Sequence, residues 1–331
     1  MIAPLAKVMD WSAIQIVWGR RLGTLIKWRN DAADSRLEAA IQFLKGPDFI
    51  PAESQPARLE FTGAREFRFP TPRPSEFAEN NIAYGRLYRS PGQWQNRPAI
   101  ILLHGGGGDP DYHYGFPWVA RQCNRAGFNA ATLMAPFQFQ RQPRQIERIF
   151  NWPNWKITAE ITFAQALAEI RALTGWLLAV GCPAVALWGN SYGGQLAGIV
   201  ASRDPRLRAA VLTAPGVNLN VSLSVAKHMI WRRVRVELDR QQPDRQALNQ
   251  TPLNLTTLRP CIPRESILLI EAIHDLFVER EYVEELWQAW DRPEIWRLPH
   301  SHASKSLSFG LTGRVLRWLA PRLEAGRIGN A

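Results

Sequence analysis

Gly189-Asn190-Ser191-Tyr192-Gly193-Gly194 follows an apolar run, Pro183-Ala184-Val185-Ala186-Leu187-Trp188, and leads into a helix-compatible stretch at 195–202. The six residues contain the pattern G-x-S-x-G. Strand, tight turn and helix in that order set a serine on a strained bend that lifts its hydroxyl out of the sheet. Glycines suit the flanking positions because side chains there would collide with the neighbouring strand and helix. A serine hydroxyl is a poor nucleophile until a base takes its proton, so the turn needs partners elsewhere in the chain.

The first partner lies upstream. Ala99-Ile100-Ile101-Leu102-Leu103 reads as a buried strand, and His104-Gly105-Gly106-Gly107-Gly108 follows at its C-terminal end. Successive glycines leave backbone N–H groups unshielded and let the main chain approach a ligand closely. Donors fixed in advance favour the negative charge that builds on a carbonyl oxygen under attack. The oxyanion hole is read as the N–H of Tyr192 plus one N–H from this loop, Gly106, with Gly105 and Gly107 beside it. A phosphate-binding loop or a flexible turn is the blander alternative for the glycines taken alone.

Acid and base come later. Residues 266–273 form another apolar strand, ending at His274-Asp275-Leu276-Phe277-Val278. Asp275 stands where a strand-end carboxylate can orient an imidazole. Its bland alternative is a turn residue or helix cap, and Glu271, inside the strand and aimed at a helix layer, is the lesser rival. A helix-like segment at 280–290 and a strand at 294–298 lead to Pro299-His300-Ser301-His302-Ala303-Ser304. His302 is read as the general base because it stands just before the final helix, expected at 304–319. His300 is read as packing or lining the pocket.

The order Ser191, Asp275, His302, each after an expected strand, resembles the α/β-hydrolase superfamily from about residue 58 to 319. Within it, 185–194 continuing through Asp204-Pro205-Arg206-Leu207 and Ala214-Pro215-Gly216-Val217 is similar to the group of alpha/beta-hydrolase domain-containing protein 18. His302 matches that group's late G-H-x-S pattern, with Ser301 in place of glycine. The resemblance implies a mainly parallel sheet with helices on both faces and a serine hydrolase acting on carboxylic esters without metal or organic cofactor. A membrane-associated lipid acyl hydrolase, and a non-catalytic binding protein on the same fold, are the alternatives. Peptidase, thioesterase and C–C hydrolase chemistry would use the same constellation.

The rest of the chain sets bounds. It has 331 residues, 46% apolar, with no internal repeats. That is enough for one large α/β domain with additions. Three cysteines, Cys123, Cys182 and Cys261, form no disulfide framework or metal spacing, which suggests reduced thiols and a cytoplasmic setting. The net charge of +11 comes mostly from dispersed arginines, and no nucleic-acid-binding motif accompanies it. Nothing near the start reads as a secretory signal or membrane span.

Residues 1–56 are expected as a helical extension to a hydrolase domain at 57–331. A first helix at 5–28 groups Leu5, Val8, Met9, Ile16 and Leu22 on a broad face, with Trp11, Trp18 and Trp28 near basic residues. It is read as packing across the hydrolase core or a dimer contact, with peripheral membrane contact as the alternative. A second helix starts from the capping box Ser35-Arg36-Leu37-Glu38 and stops at Gly46. Opening strands are expected at 58–61, 66–70 and 82–89. Later elements are expected at 116–126, 128–134, 158–180 and 209–213. At 216–263 the alternation breaks into a lid-like insertion, with a helix at 223–238 and mostly loop at 241–263. The expected pocket-lining residues are His104, Phe137, Phe139, Trp231 and Phe277, with 152–155 as a further aromatic wall.

Overall fold

The computed structural model describes residues 3–19, 34–106, 111–143, 158–232, 235–236, 242–305 and 308–324. Two helices come first, α1 (Ala3–Gly19) and α2 (Asp34–Lys45). Three strands follow, β1 (Glu60–Phe61), β2 (Glu66–Pro70) and β3 (Ile82–Tyr88), each antiparallel to the one before. Strand and helix then alternate through β4 (Ala99–Leu103), α3 (Phe116–Arg125), β5 (Asn129–Leu133), α4 (Ala166–Ala179), β6 (Val185–Asn190), α5 (Tyr192–Ala201) and β7 (Leu207–Thr213). After α6 (Val221–His228) and α7 (Gln242–Leu248) come β8 (Ile267–Ala272), α8 (Arg280–Ala289), β9 (Glu294–Leu298) and α9 (Leu311–Glu324).

The nine strands form one sheet in the order β1-β2-β3-β5-β4-β6-β7-β8-β9. From β5 through β9 every pairing is parallel. Parallel neighbours need crossover helices, which cover both faces, and the central strands are accordingly apolar on both sides. Ile101, Leu187, Leu212 and Leu269 enter the core beneath α4, α5 and α8. Ile100, Ala186, Val211 and Leu268 enter the opposite core, beneath α3 and α9. The period of two thus assigns alternate residues of each strand to two separate layers.

Register decides where the loops emerge. Leu103 lies opposite Gly189, Asn190 opposite Thr213, and Ala272 opposite Leu298. The segments that follow β4, β6, β8 and β9 therefore leave the sheet along one edge, as ligand-binding loops of open α/β sheets do.

Several boundaries depart from the sequence reading. The helix expected at 223–238 is interrupted after His228: Met229 is extended with ψ 127°, and residues 232 and 235–236 are helical again. Met229 seats in a small cluster with Ile14, Val225 and Ala226, which draws the chain out of helical geometry toward α1. The stretch expected as mostly loop contains α7 and a 3-10 turn, Leu255–Thr257. The last helix starts at Leu311, because Ser301, Ser304 and Lys305 are used in a turn of their own, with Ser304 Oγ accepting from Ser301 N at 2.9 Å and Lys305 N donating to Ser301 O at 3.0 Å.

The first helix also turns a different face inward. Leu5, Val8 and Ile16 are each more than half exposed, whereas Ala6, Asp10 and Ile14 are fully buried. The linker before β1 crosses α4: Ala57 N donates to Ala172 O at 2.9 Å, and Arg171 donates to the carbonyls of Pro51 and Ala52.

Candidate active site

Ser191 stands between β6 and α5 with φ 55° and ψ −116°, a conformation that side chains rarely adopt. Its backbone is held from both sides. Ser191 N donates to Thr213 O at 2.9 Å, and Ser191 O accepts from Gln195 N and Gly216 N at 3.0 and 3.1 Å. The bend is tight enough that a Cβ on Gly193 would sit 2.2 Å from Leu103 O, and one on Gly189 would sit 2.0 Å from Gly193 O. Both obstacles are backbone and cannot rotate away. Gly193→Ala is therefore expected to cost at least about 3 kcal/mol, the upper range for overpacking. Chemical denaturation checks this; a midpoint unchanged from wild type would contradict the close approach.

Beyond β8 the chain makes a turn that Asp275 organises. Its Oδ1 accepts from Phe277 N and Val278 N, both at 2.8 Å, and its Oδ2 accepts from His302 Nδ1 at 2.7 Å. Asp275 thus serves as turn residue and imidazole partner together. Ser191 Oγ lies 2.8 Å from the other ring nitrogen, His302 Nε2. Because an ionised Asp275 can only accept, Nδ1 carries the hydrogen and Nε2 is left as acceptor for the serine O–H. The His302 side chain is 13% exposed and that of Asp275 3%. Residues 191, 275 and 302 are thereby brought into one hydrogen-bonded row.

Ser301 causes no strain where the related pattern has glycine. It is not among the residues with positive φ, and its hydroxyl pairs with Ser304 Oγ at 3.1 Å. His300 is buried, its Nδ1 lies 3.4 Å from Ser304 Oγ, and burial holds its imidazole below the usual range. Glu271 is held away from this row. Its carboxylate meets Arg297 at 2.8 Å and Arg280 at 3.3 Å, and burial raises its pKa despite both cations.

The glycine loop comes against the serine. A Cβ on Gly105 would lie 3.2 Å from Ser191 Cβ. Gly105 N donates to Asp111 Oδ2 at 3.4 Å, and Asn190 Nδ2 donates to the same oxygen at 2.7 Å. Asp111 so ties the loop to the residue preceding Ser191. Gly106 is exposed, while Gly107 lies outside the described residues.

The expected pocket lining divides. Phe277 packs on the His302 ring with centroids 4.8 Å apart. His104 is 2% exposed and serves the loop instead: its Nδ1–H donates to Gly105 O at 2.8 Å and its Nε2 accepts from Ala135 N at 3.1 Å. Phe137, also 2% exposed, packs edge-on against Phe77 with centroids 5.2 Å apart. Burial in such contacts corrects the expectation that these two rings face a substrate. Phe139 packs on His104, Tyr112 and His113, and Trp231 is half-exposed beside Ile230 beyond α6. Residues 152–155 lie outside the described residues.

Three residues that the sequence did not single out border this row. Asp111 has just been placed. Asp10 of α1 accepts from the backbone of both the Asp275 and the His302 loops. Lys305 is buried and its ammonium donates to His302 O. Burial pushes the Lys305 pKa down, while Asp275, Asp111 and Asp10 pull against that shift. Only Lys305 had a sequence cue, its position one turn after His302. Among the described residues, no group of three or more His, Cys, Asp or Glu is placed to hold a metal ion.

A family model described as the alpha/beta hydrolase fold matches residues 98–289, more than half of the chain, and the protein belongs to that family. An uncharacterised protein of Mycobacterium tuberculosis is 28% identical over 278 residues, covering 79% of this chain. The match covers 63% of that relative, so the chain spans less than two thirds of its length. Among solved structures, acetyl xylan esterase 1 from Thermoanaerobacterium sp. JW/SL YS485 is similar with a TM-score of 0.57 at 14% identity, over 92% of this chain and 98% of that one. The acetyl xylan esterase from Paenibacillus sp. R4 gives a TM-score of 0.55 at 15% identity, over 89% and 98%. These likenesses show a shared fold.

Proposed function

We propose that the protein is a serine hydrolase that cleaves carboxylic esters through an acyl-enzyme. The observation that carries this reading is the row Asp275 Oδ2, His302, Ser191 Oγ, with contacts of 2.7 and 2.8 Å at the two ring nitrogens. His302 Nε2 takes the Ser191 proton as Oγ attacks the carbonyl carbon, and Asp275 stabilises the imidazolium. The developing oxyanion is received by Tyr192 N–H and the glycine loop. Gly105 N–H is turned to Asp111, so the loop donor falls to Gly106. His302 then protonates the leaving alcohol, and water repeats the sequence to release the acid. No metal or organic cofactor enters these steps.

The narrower resemblance to the group of alpha/beta-hydrolase domain-containing protein 18 belongs to this proposal. So does the division into an extension at 1–56 and a hydrolase domain at 57–331 with a lid-like wall at 216–263. Three free cysteines support a reducing, cytoplasmic setting. A second reading, a lipid acyl hydrolase at a membrane surface, is favoured by the exposed Leu5, Val8, Trp11 and Ile16 of α1 with Ile230 and Trp231 nearby. Among the described residues no helix is long and apolar enough to cross a membrane, so such contact would be peripheral. Negligible co-sedimentation with lipid vesicles would retire that second reading.

The test begins with a fluorophosphonate probe on the folded protein, with the adduct located by peptide mass spectrometry. Labelling at Ser191 is expected. Two structural neighbours are named acetyl xylan esterases, so the ester panel starts from acetyl and extends to long acyl chains. A folded protein that neither labels at Ser191 nor turns over any ester would overturn the proposal.

A further inference from the structure

The acid and the base sit on separate loops, after β8 and after β9, and their mutual position must be fixed for the row to exist. Part of the fixing is local. The two loops extend the strand pairing through Ile273 N to Leu298 O and His274 N to His300 O, both at 3.0 Å. Beyond that point they diverge, and Leu276 N, His302 N and Ala303 N have to find acceptors elsewhere.

One side chain takes all three. Asp10 Oδ2 accepts from Leu276 N and His302 N, both at 2.9 Å, and Oδ1 accepts from Ala303 N at 2.7 Å. Leu276 directly follows the acid, and His302 is the base itself. Asp10 is fully buried, which for a carboxylate is tolerable only with such a set of donors. The helix that carries it is docked independently, since Ile14 packs with Val225, Ala226 and Met229, and Gln15 bonds His228 O at 2.8 Å and Ile230 N at 3.2 Å.

We infer that Asp10 is a positioning residue for the acid–base pair, and that the N-terminal helix, outside the hydrolase domain proper, completes the active site by clamping the Asp275 and His302 loops together. This rests on the serine-hydrolase reading. A carboxylate fits the task where its amide does not. Asparagine keeps the shape but has a single acceptor oxygen, so its NH2 would face at least one backbone N–H, donor against donor. The clamp then opens on one loop, and His302 no longer holds its separation from Ser191 and Asp275 together.

The test compares Asp10→Asn with Ile14→Ala, which loosens the same helix but keeps the carboxylate. In ester turnover, Asp10→Asn is expected to lower kcat by about 10²-fold, the scale of a 1 Å misplacement, with KM nearly unchanged. Ile14→Ala, assayed where both variants are folded, should stay within a few-fold of wild type. Hydrogen exchange, which needs no activity, should rise in Asp10→Asn at the peptides covering 276 and 302–303 while the peptide covering 191 stays protected. Wild-type kcat in Asp10→Asn, equal losses in both variants, or unchanged exchange at the two loops would each overturn the inference. If the wild type neither labels nor hydrolyses esters, the serine-hydrolase reading fails by itself, and exchange alone decides whether Asp10 clamps the loops.

Discussion

Ser191→Ala is expected to lower ester turnover by roughly 10⁴- to 10⁶-fold, the range in which loss of a nucleophile acting with its base falls. The fold should barely notice. Alanine at φ 55° is no more strained than serine, and the lost hydroxyl contacts one partner, His302 Nε2. His302→Ala should cost about as much, since the hydroxyl is inert without its base. The two losses should not add, because the residues act as a unit. Asp275→Asn tests the third member separately. Its amide cannot accept from Nδ1–H through the nitrogen end, and the Oδ1 contacts to Phe277 N and Val278 N tend to keep the oxygen on the turn side. The imidazole would then favour the wrong tautomer, and a fall of about 10⁴-fold follows. Steady-state kinetics on the best ester of the panel checks all three. A Ser191→Ala protein within tenfold of wild type, or a double variant whose losses multiply, would mean that another group performs the attack.

What could be read beforehand was local. An apolar run followed by a turn-forming cluster marks both a strand and the loop at its end, so the strand-end positions of Ser191, Asp275 and His302, which the structure brings within hydrogen-bond distance, were each legible from a dozen neighbours. The bounds of β2 came out as read, at Glu66–Pro70. What escaped depends on partners far along the chain. Asp10 accepts from residues 266 to 293 positions away, and within its own helix it looks like a solvated charge between Leu5, Val8 and Ile16. Hydrophobic periodicity therefore placed the exposed face of α1 inward and the buried face outward. Asp111 was hidden for the same reason, since its role arises only where the glycine loop folds back on Asn190. His104 was read as lining the pocket, yet its ring ties Gly105 to Ala135, a contact that arises only where the glycine loop meets the end of β5.

The largest stability effect is expected at another pair that periodicity could not reveal. Arg141, in the turn Phe139–Arg141, and Glu169 of α4 are both fully buried and meet in two contacts of 2.7 and 2.6 Å. Arg141 also donates to Met134 O at 2.7 Å and Asn80 O at 2.8 Å, so it braces the segment whose Ala135 N reaches His104. Glu169→Gln leaves a guanidinium in the interior without a counter-charge, a change that costs about 3–5 kcal/mol in buried pairs. That is a large share of the 5–15 kcal/mol typical of a folded chain. Arg141→Met should cost at least as much, since it leaves the buried Glu169 carboxylate without a counter-charge and Met134 O without its donor. Replacing both, as Arg141→Met with Glu169→Leu, removes the uncompensated charge and should fall short of the summed single losses. It should still not return to wild type, because Met134 O loses its donor, at about 1–3 kcal/mol for a buried group left unpaired, while Asn80 O keeps Gln165 Nε2 at 2.6 Å. Urea denaturation of the four proteins reads this directly. Additive losses would mean that the two side chains do not compensate each other's charge, and a wild-type midpoint in Glu169→Gln would mean that Arg141 is held by the two carbonyls alone.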